Sequence, residues 1–154
     1  MNMEFASEKR QNSVLAKPIP GSWGQRLLFI VILGTGVHSL FFGGFMYFFT
    51  TSFYKLFFPT TIGNIFFLRQ VGILLFLSGL FYLFPLVNLK KYNHLILLTA
   101  FSKTIAVVFL LTNARFTSAP AMVHLAAFGD GFMGVSLICC YLDFRWEEKV
   151  ENGK

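Results

Sequence analysis

The chain has 154 residues, of which 55% are hydrophobic, only 13% are charged and 21 are phenylalanine. So few charges cannot cover the surface of a soluble domain of this size, and the composition predicts an integral membrane protein. The formal net charge is +6, but the basic residues lie mostly at the ends of apolar segments. That distribution is typical of membrane topology and argues against nucleic-acid binding.

Four apolar segments are long enough to cross a bilayer. We place them at residues 27–49, 65–87, 94–112 and 120–142. They make up a predicted membrane domain over residues 26–142. A polar tail over residues 1–25 precedes it, and a charged tail over residues 143–154 follows it. The short connections between the spans predict an all-α, up-down four-helix bundle.

One face of the first span is polar, because Thr35, His38 and Ser39 recur at helical spacing. We expect this face to point into the bundle. Gly36 and Gly43 lie seven residues apart beside it and predict a groove in which another helix can pack closely.

The segment over residues 50–64 contains a cluster of aromatic side chains around Lys55 and is too short to span. It predicts a short amphipathic segment that lies in the membrane interface. The second span then places Arg69 near its start. Gly72 and Gly79 continue along the same face and predict further close helix packing.

The third and fourth spans each carry a charged residue deep in apolar sequence. Lys103 lies at the centre of the third span, and Asp130 lies near the middle of the fourth. A lone ionised side chain there costs about 2.5–3.5 kcal/mol on insertion scales, so Asp130 needs a partner, a proton or a watery cavity. Ala126 and Gly134 share the face of Asp130 and predict a close helix contact there.

The distribution of Lys and Arg predicts the orientation. Nine of the thirteen lie on the side of the N-terminus, two lie on the opposite side, and two lie inside spans. By the positive-inside rule, both the N-terminus and the C-terminus are predicted to be cytoplasmic.

Depth estimates then bring three polar residues together. At about 1.5 Å per helical residue, His38, Lys103 and Asp130 lie level, about 14–18 Å from the cytoplasmic face. Arg69 and His124 lie nearer the outer face. We therefore hypothesise a polar pocket that opens outward, with Lys103 and Asp130 paired at its floor and the other two near its mouth.

Each of these residues also has a purely structural interpretation. The pair of Lys103 and Asp130 would then only fix the helix register, and Arg69 would reach the outer headgroups. His38 would be a buried histidine bonded to a neighbouring helix, and His124 would be an interfacial residue. The sequence leaves these alternatives open.

Several chemistries are disfavoured by the residues present. The three histidines show no H-x-x-H spacing, and His38 and His124 differ in predicted depth, which argues against a di-iron or haem site. Cys139 and Cys140 are adjacent, which rules out a disulfide framework and a zinc site. No nucleophile and base set is recognisable, so we predict no catalytic residues and no metal.

Two stretches and one residue carry a family resemblance: FLRQVGILLFLSGLFYL in the second span, AAFGDGFMGVSLICCYLDF in the fourth, and the mid-membrane lysine of the third. Over residues 27–146 the chain resembles the DoxX-like family of small four-helix bacterial membrane proteins. That family takes its name from a subunit associated with quinone-linked thiosulfate oxidation. The resemblance implies a helical bundle, a bacterial inner-membrane location and an accessory or redox-linked role.

Our leading interpretation is a non-enzymatic binding or accessory subunit of a membrane complex. It would bind a quinone or lipid-like ligand, or dock on a larger membrane complex or on copies of itself. The alternative is a small proton- or cation-coupled transporter that uses Asp130. The sequence names no cofactor and no substrate.

Overall fold

The computed structural model describes residues 23–57, 65–117 and 121–152, and this part of the chain is helical without any strand. Five α-helices follow in order: α1 (Trp23–Phe48), α2 (Thr50–Phe57), α3 (Ile65–Leu83), α4 (Asn93–Thr117) and α5 (Ala121–Asn152). All except α2 are long and apolar enough to cross a membrane. This confirms the predicted all-α class with four helices of spanning length.

The second long helix changes form at its end because of a proline. A 3₁₀ turn, Phe84–Val87, continues α3 with Pro85 inside it. Proline has no backbone N–H, so the regular α-helical bonding cannot continue through it. The N–H of Asn88 then donates to the carbonyl of Pro85 at 3.1 Å and closes the turn.

Glycines bring the backbones of α1 and α3 into direct contact. Gly43 of α1 faces Gly72 of α3, and Gly36 faces Gly79. A Cβ added to Gly72 would lie 3.0 Å from the carbonyl oxygen of Gly43, and one added to Gly79 would lie 2.8 Å from the backbone nitrogen of Leu40. Such distances leave no room for a side chain, so glycine at these four positions allows the two helices to approach at backbone distance.

The helix α5 is longer than the sequence suggested. It continues to Asn152, ten residues beyond the end expected at residue 142, through the stretch assigned to a charged tail. The physical reason is that Phe144 is 1% exposed and joins the core formed by α1, α4 and α5. In addition, Glu147 accepts a hydrogen bond of 3.4 Å from the backbone N–H of Gly24, at the start of α1.

Packing is uneven along the bundle. Towards the start of α1, a core cluster joins Leu28 and Ile32 to apolar side chains of α4 and α5. Towards the end of α1, the core cluster is smaller and consists of Met46 with Phe53 and Phe57 of α2. The short helix α2 therefore has one buried aromatic face, which agrees with the amphipathic segment predicted there. The candidate site lies between these two clusters.

The glycine contact between α1 and α3 can be tested with a matched pair of variants. Gly43→Ala adds a Cβ that would lie 2.8 Å from the carbonyl oxygen of Gly72, so we expect it to lower the free energy of unfolding by about 1–3 kcal/mol. Gly34→Ala lies on the same helix with nothing within 4 Å of the added Cβ. It should leave stability unchanged or raise it by up to about 1 kcal/mol. Thermal and denaturant unfolding in detergent measures both, and equal effects would contradict the packing described.

Candidate functional site

Lys103 is the point at which all four long helices meet. Its Nζ lies 2.6 Å from Oδ1 of Asp130 on α5 and donates to Oγ of Ser39 on α1 at 3.4 Å. The ring of Tyr82 on α3 lies against the same ammonium group, with its centroid 5.6 Å away. The exposed fraction of the side chain is 4% for Lys103 and 16% for Asp130. The pairing expected from the sequence is therefore present, and each of the other long helices supplies one contact to it.

A short chain of hydrogen bonds fixes the tyrosine that faces the ammonium. The hydroxyls of Tyr82 and Ser102 lie 2.6 Å apart, and Ser102 donates to the carbonyl of Thr99 at 3.1 Å. Because Ser102 has a single hydroxyl hydrogen, Tyr82 is the donor in their bond. This arrangement holds the face of the Tyr82 ring towards Lys103, where it adds a cation–π contact.

A cavity of about 590 Å³ borders the ion pair. Its floor consists of Lys103, Asp130 and His38, and its walls are apolar. The wall residues include Phe42, Met46, Phe57, Leu75, Leu110 and Met122. From Asp130 to Met122 the cavity follows α5 for about 12 Å, at 1.5 Å per helical residue. The pocket is thus largely apolar with a polar floor, whereas the sequence suggested a polar pocket with charged or polar residues at both its floor and its mouth.

His38 lines this floor and carries an unpaired polar atom. Its Nδ1 is buried and has no hydrogen-bond partner among the residues that the structure describes. The imidazole packs against the ring of Phe42, with 4.6 Å between the ring centroids. The structural alternative for His38 required a hydrogen bond to a neighbouring helix, and Nδ1 makes none within the described chain.

Arg69 and His124 do not line the cavity, although the sequence placed both at its mouth. Arg69 is exposed, and its Nε donates at 3.2 Å to Oγ1 of Thr50 on α2. His124 is exposed, whereas Val123 and Leu125 on either side of it contribute to the cavity wall. The reason is rotational, since successive helical residues are about 100° apart, and depth along a helix does not specify which face a side chain occupies.

The two small residues predicted to pack beside Asp130 have different environments. Gly134 lies against α4, where an added Cβ would be 3.4 Å from the Cβ of Lys103. Ala126 instead lines the cavity. Gly134 therefore allows α4 and α5 to approach closely next to the ion pair. The small side chain of Ala126 instead leaves part of the cavity unfilled.

Two features of the site were not anticipated from the sequence. Tyr82 lies in a stretch of apolar and aromatic residues, which gave no sign that it would contact Lys103. The wall contributed by α2 through Phe53 and Phe57 was also missed, because amphipathic character does not indicate what the apolar face covers. Within the described residues, no three His, Cys, Asp or Glu side chains are grouped so as to hold a metal ion.

Comparison with protein-family models finds no match to this chain, and comparisons with curated proteins and with solved structures find none either. Its function must therefore be inferred from the geometry of the ion pair and the cavity.

The ion pair makes a direct prediction for stability. Lys103→Met or Asp130→Asn leaves one charge buried without its partner, so each single variant should lose about 3–5 kcal/mol of unfolding free energy. The double variant removes both charges and should recover most of that loss. Denaturant unfolding in detergent measures the cycle, with Lys90→Met, at an exposed lysine before α4, as the control. Additive losses in the double variant would show that the two side chains do not interact.

Proposed function

We propose that this protein binds a small amphiphile in the cavity and acts as a non-enzymatic binding or accessory subunit in a membrane. The observation that carries this proposal is the combination of long apolar walls with three polar residues gathered at one end. A molecule with an apolar tail and a single polar head matches that division. The volume of about 590 Å³ falls within the range of about 300–1,000 Å³ that is usual for small-molecule sites.

The state of Lys103 supports binding over catalysis. Its ammonium is held by Asp130, Ser39 and the ring of Tyr82, so it is not available as a free nucleophile. The floor is therefore better suited to holding a polar head group than to reacting with it.

The surroundings of the cavity support access from the bilayer. Four lining residues are also exposed on the outer surface of the helices: Val71, Phe109, Leu125 and Phe128. In addition, α3 packs mainly against α1 and scarcely touches α4. An amphiphile dissolved in the membrane could thus reach the cavity sideways, without crossing the aqueous phase.

The proposal includes a membrane topology in which the long helices cross alternately and both termini are cytoplasmic. The glycine pairs support it, because Gly36 meets Gly79 while Gly43 meets Gly72, in opposite chain order. The excess of Lys and Arg on the side of the N-terminus gives the orientation. With this topology the cavity and α2 lie in the outer half of the membrane.

We further propose a bacterial inner-membrane location and an accessory role in a redox-linked complex. Support for this part comes from the motif-level resemblance to the DoxX-like family. A quinone or lipid-like ligand fits the apolar walls of the cavity.

Binding in the cavity can be tested with a photoreactive probe. A medium-chain alcohol that carries a diazirine in its tail, incorporated into liposomes with the protein, should label the cavity wall of α4 around Leu110. Ala106→Phe places a ring inside the cavity. It should reduce labelling of the cavity wall to the labelling seen at exposed helix residues outside the lining. Val108→Phe adds the same ring one half-turn away, at an exposed position outside the lining, and should leave it unchanged. Equal labelling of the two variants would contradict binding in the cavity.

One observation favours the transporter as a second candidate. Asp130 borders the cavity and is more exposed than Lys103, so a proton or cation could reach its carboxylate. Protonation of Asp130 would weaken its hold on Lys103 and leave the ammonium free to move or to bind an anion. A coupled transporter could use that release as its switch.

Flux measurements separate the two candidates. The Lys103→Met/Asp130→Asn double variant removes both charged groups while avoiding an unpaired buried charge. For a binding subunit, we expect proteoliposomes with an imposed pH gradient to show the same proton and cation flux for the wild type and the double variant. A pH-driven flux that only the wild type supports would favour the transporter.

A further inference from the structure

The floor of the cavity restricts the charge of its ligand. Lys103 and Asp130 form a closed pair whose net charge is zero when both are ionised, and the remaining walls are apolar. A cationic or anionic head group placed there would leave one net charge inside the helical bundle. An isolated charge at membrane depth costs about 2.5–3.5 kcal/mol on insertion scales. A neutral head group avoids this penalty.

The unpaired Nδ1 of His38 adds a second restriction. A buried polar atom without a hydrogen bond is unfavourable. The ring of His38 borders the cavity, so rotation about its Cβ–Cγ bond turns Nδ1 towards a ligand, and a ligand that supplies the missing bond gains that energy on binding. A neutral imidazole carries a hydrogen on one nitrogen only, so Nδ1 is either a donor or an acceptor. A hydroxyl satisfies it in both cases, because a hydroxyl can donate or accept. The same hydroxyl can also hydrogen-bond at the same time to Lys103 or Asp130, the charged residues of the floor.

The positions of these groups also orient the ligand. His38, Lys103 and Asp130 lie at one end of the cavity, and Phe53 and Phe57 of α2 lie at the other. A head group at the floor therefore places its tail along apolar walls for about two to three helical turns, as far as α2. The ring of Phe42 packs on the imidazole at the start of that path.

We infer that the cavity takes a neutral, single-headed amphiphile whose hydroxyl group hydrogen-bonds to Nδ1 of His38 beside the closed Lys103–Asp130 pair. This inference rests on the proposed function, since it specifies the ligand class of the same cavity. It assigns His38 as the residue that selects the head group. It assigns the ion pair as the feature that excludes charged amphiphiles.

Three photoreactive probes test the inference. They share one medium-chain tail with a diazirine and differ only in the head: an alcohol, a permanently anionic sulfonate and a permanently cationic trimethylammonium. Each is incorporated into phosphatidylcholine liposomes with the full chain, and labelled residues are mapped by mass spectrometry. Labelling of the cavity wall is divided by labelling at Phe101, an exposed residue of α4 outside the lining, to correct for membrane partitioning.

Two substitutions of His38 form the matched pair. His38→Phe keeps an aromatic ring but removes its nitrogens, and His38→Asn keeps a polar atom at the δ position. We expect the alcohol to label the wild-type cavity most strongly and His38→Phe to reduce that labelling roughly three- to tenfold, the range that one hydrogen bond contributes. His38→Asn should retain most of it. Thermal unfolding should show His38→Phe to be at least as stable as the wild type, because it removes an unpaired buried polar atom.

The outcomes distinguish the inference from the function on which it rests. If a charged probe labels the cavity as strongly as the alcohol, or if His38→Phe labels like the wild type, the assigned head-group chemistry is wrong although the cavity binds amphiphiles. If no probe labels the wild-type cavity above the Phe101 reference, the proposed binding function itself fails.

Discussion

The buried ion pair of Lys103 and Asp130 is the interaction on which the arrangement of the long helices depends. Neither charge can remain alone among apolar helices, so α4 and α5 are confined to the register in which Nζ and Oδ1 meet at 2.6 Å. Ser39 and Tyr82 contact the same ammonium from α1 and α3. Sliding any of these helices by one turn, about 5.4 Å, would break its contact.

Close packing at two helix pairs explains why volume remains beside that ion pair. Glycines join α1 to α3 at backbone distance, and Gly134 allows α5 to approach α4. Because the glycines hold α3 against α1, α3 borders the cavity without packing closely against α4. The cavity is thus a consequence of which helices pack tightly, and α2 covers the end of it that lies farthest from the ion pair.

The sequence predicted those parts of the structure that depend on distance along a helix. The depth of Lys103 and Asp130 follows from the helical rise, and a buried charge demands a partner, so their pairing was predictable. The rotation of each helix about its axis was less well determined, because apolar residues surround these spans on every side. Arg69 and His124 were therefore placed at the mouth of the pocket, although neither lines the cavity. The extension of α5 did have a signal, since Leu137, Cys140 and Phe144 continue one buried stripe at helical spacing.

The ion pair, the unpaired Nδ1 of His38 and the cavity are not needed for a stable helical bundle, and all three occur at one place. Replacing a buried ion pair by apolar side chains is often neutral or stabilising, so helix register alone does not require charges. Larger residues at Ala106, Ala126 and Gly129 would fill the volume, and an apolar ring at position 38 would remove the unpaired nitrogen. Natural proteins retain such locally unfavourable features mainly where function requires them. Their coincidence at one place therefore supports the proposed binding of a ligand.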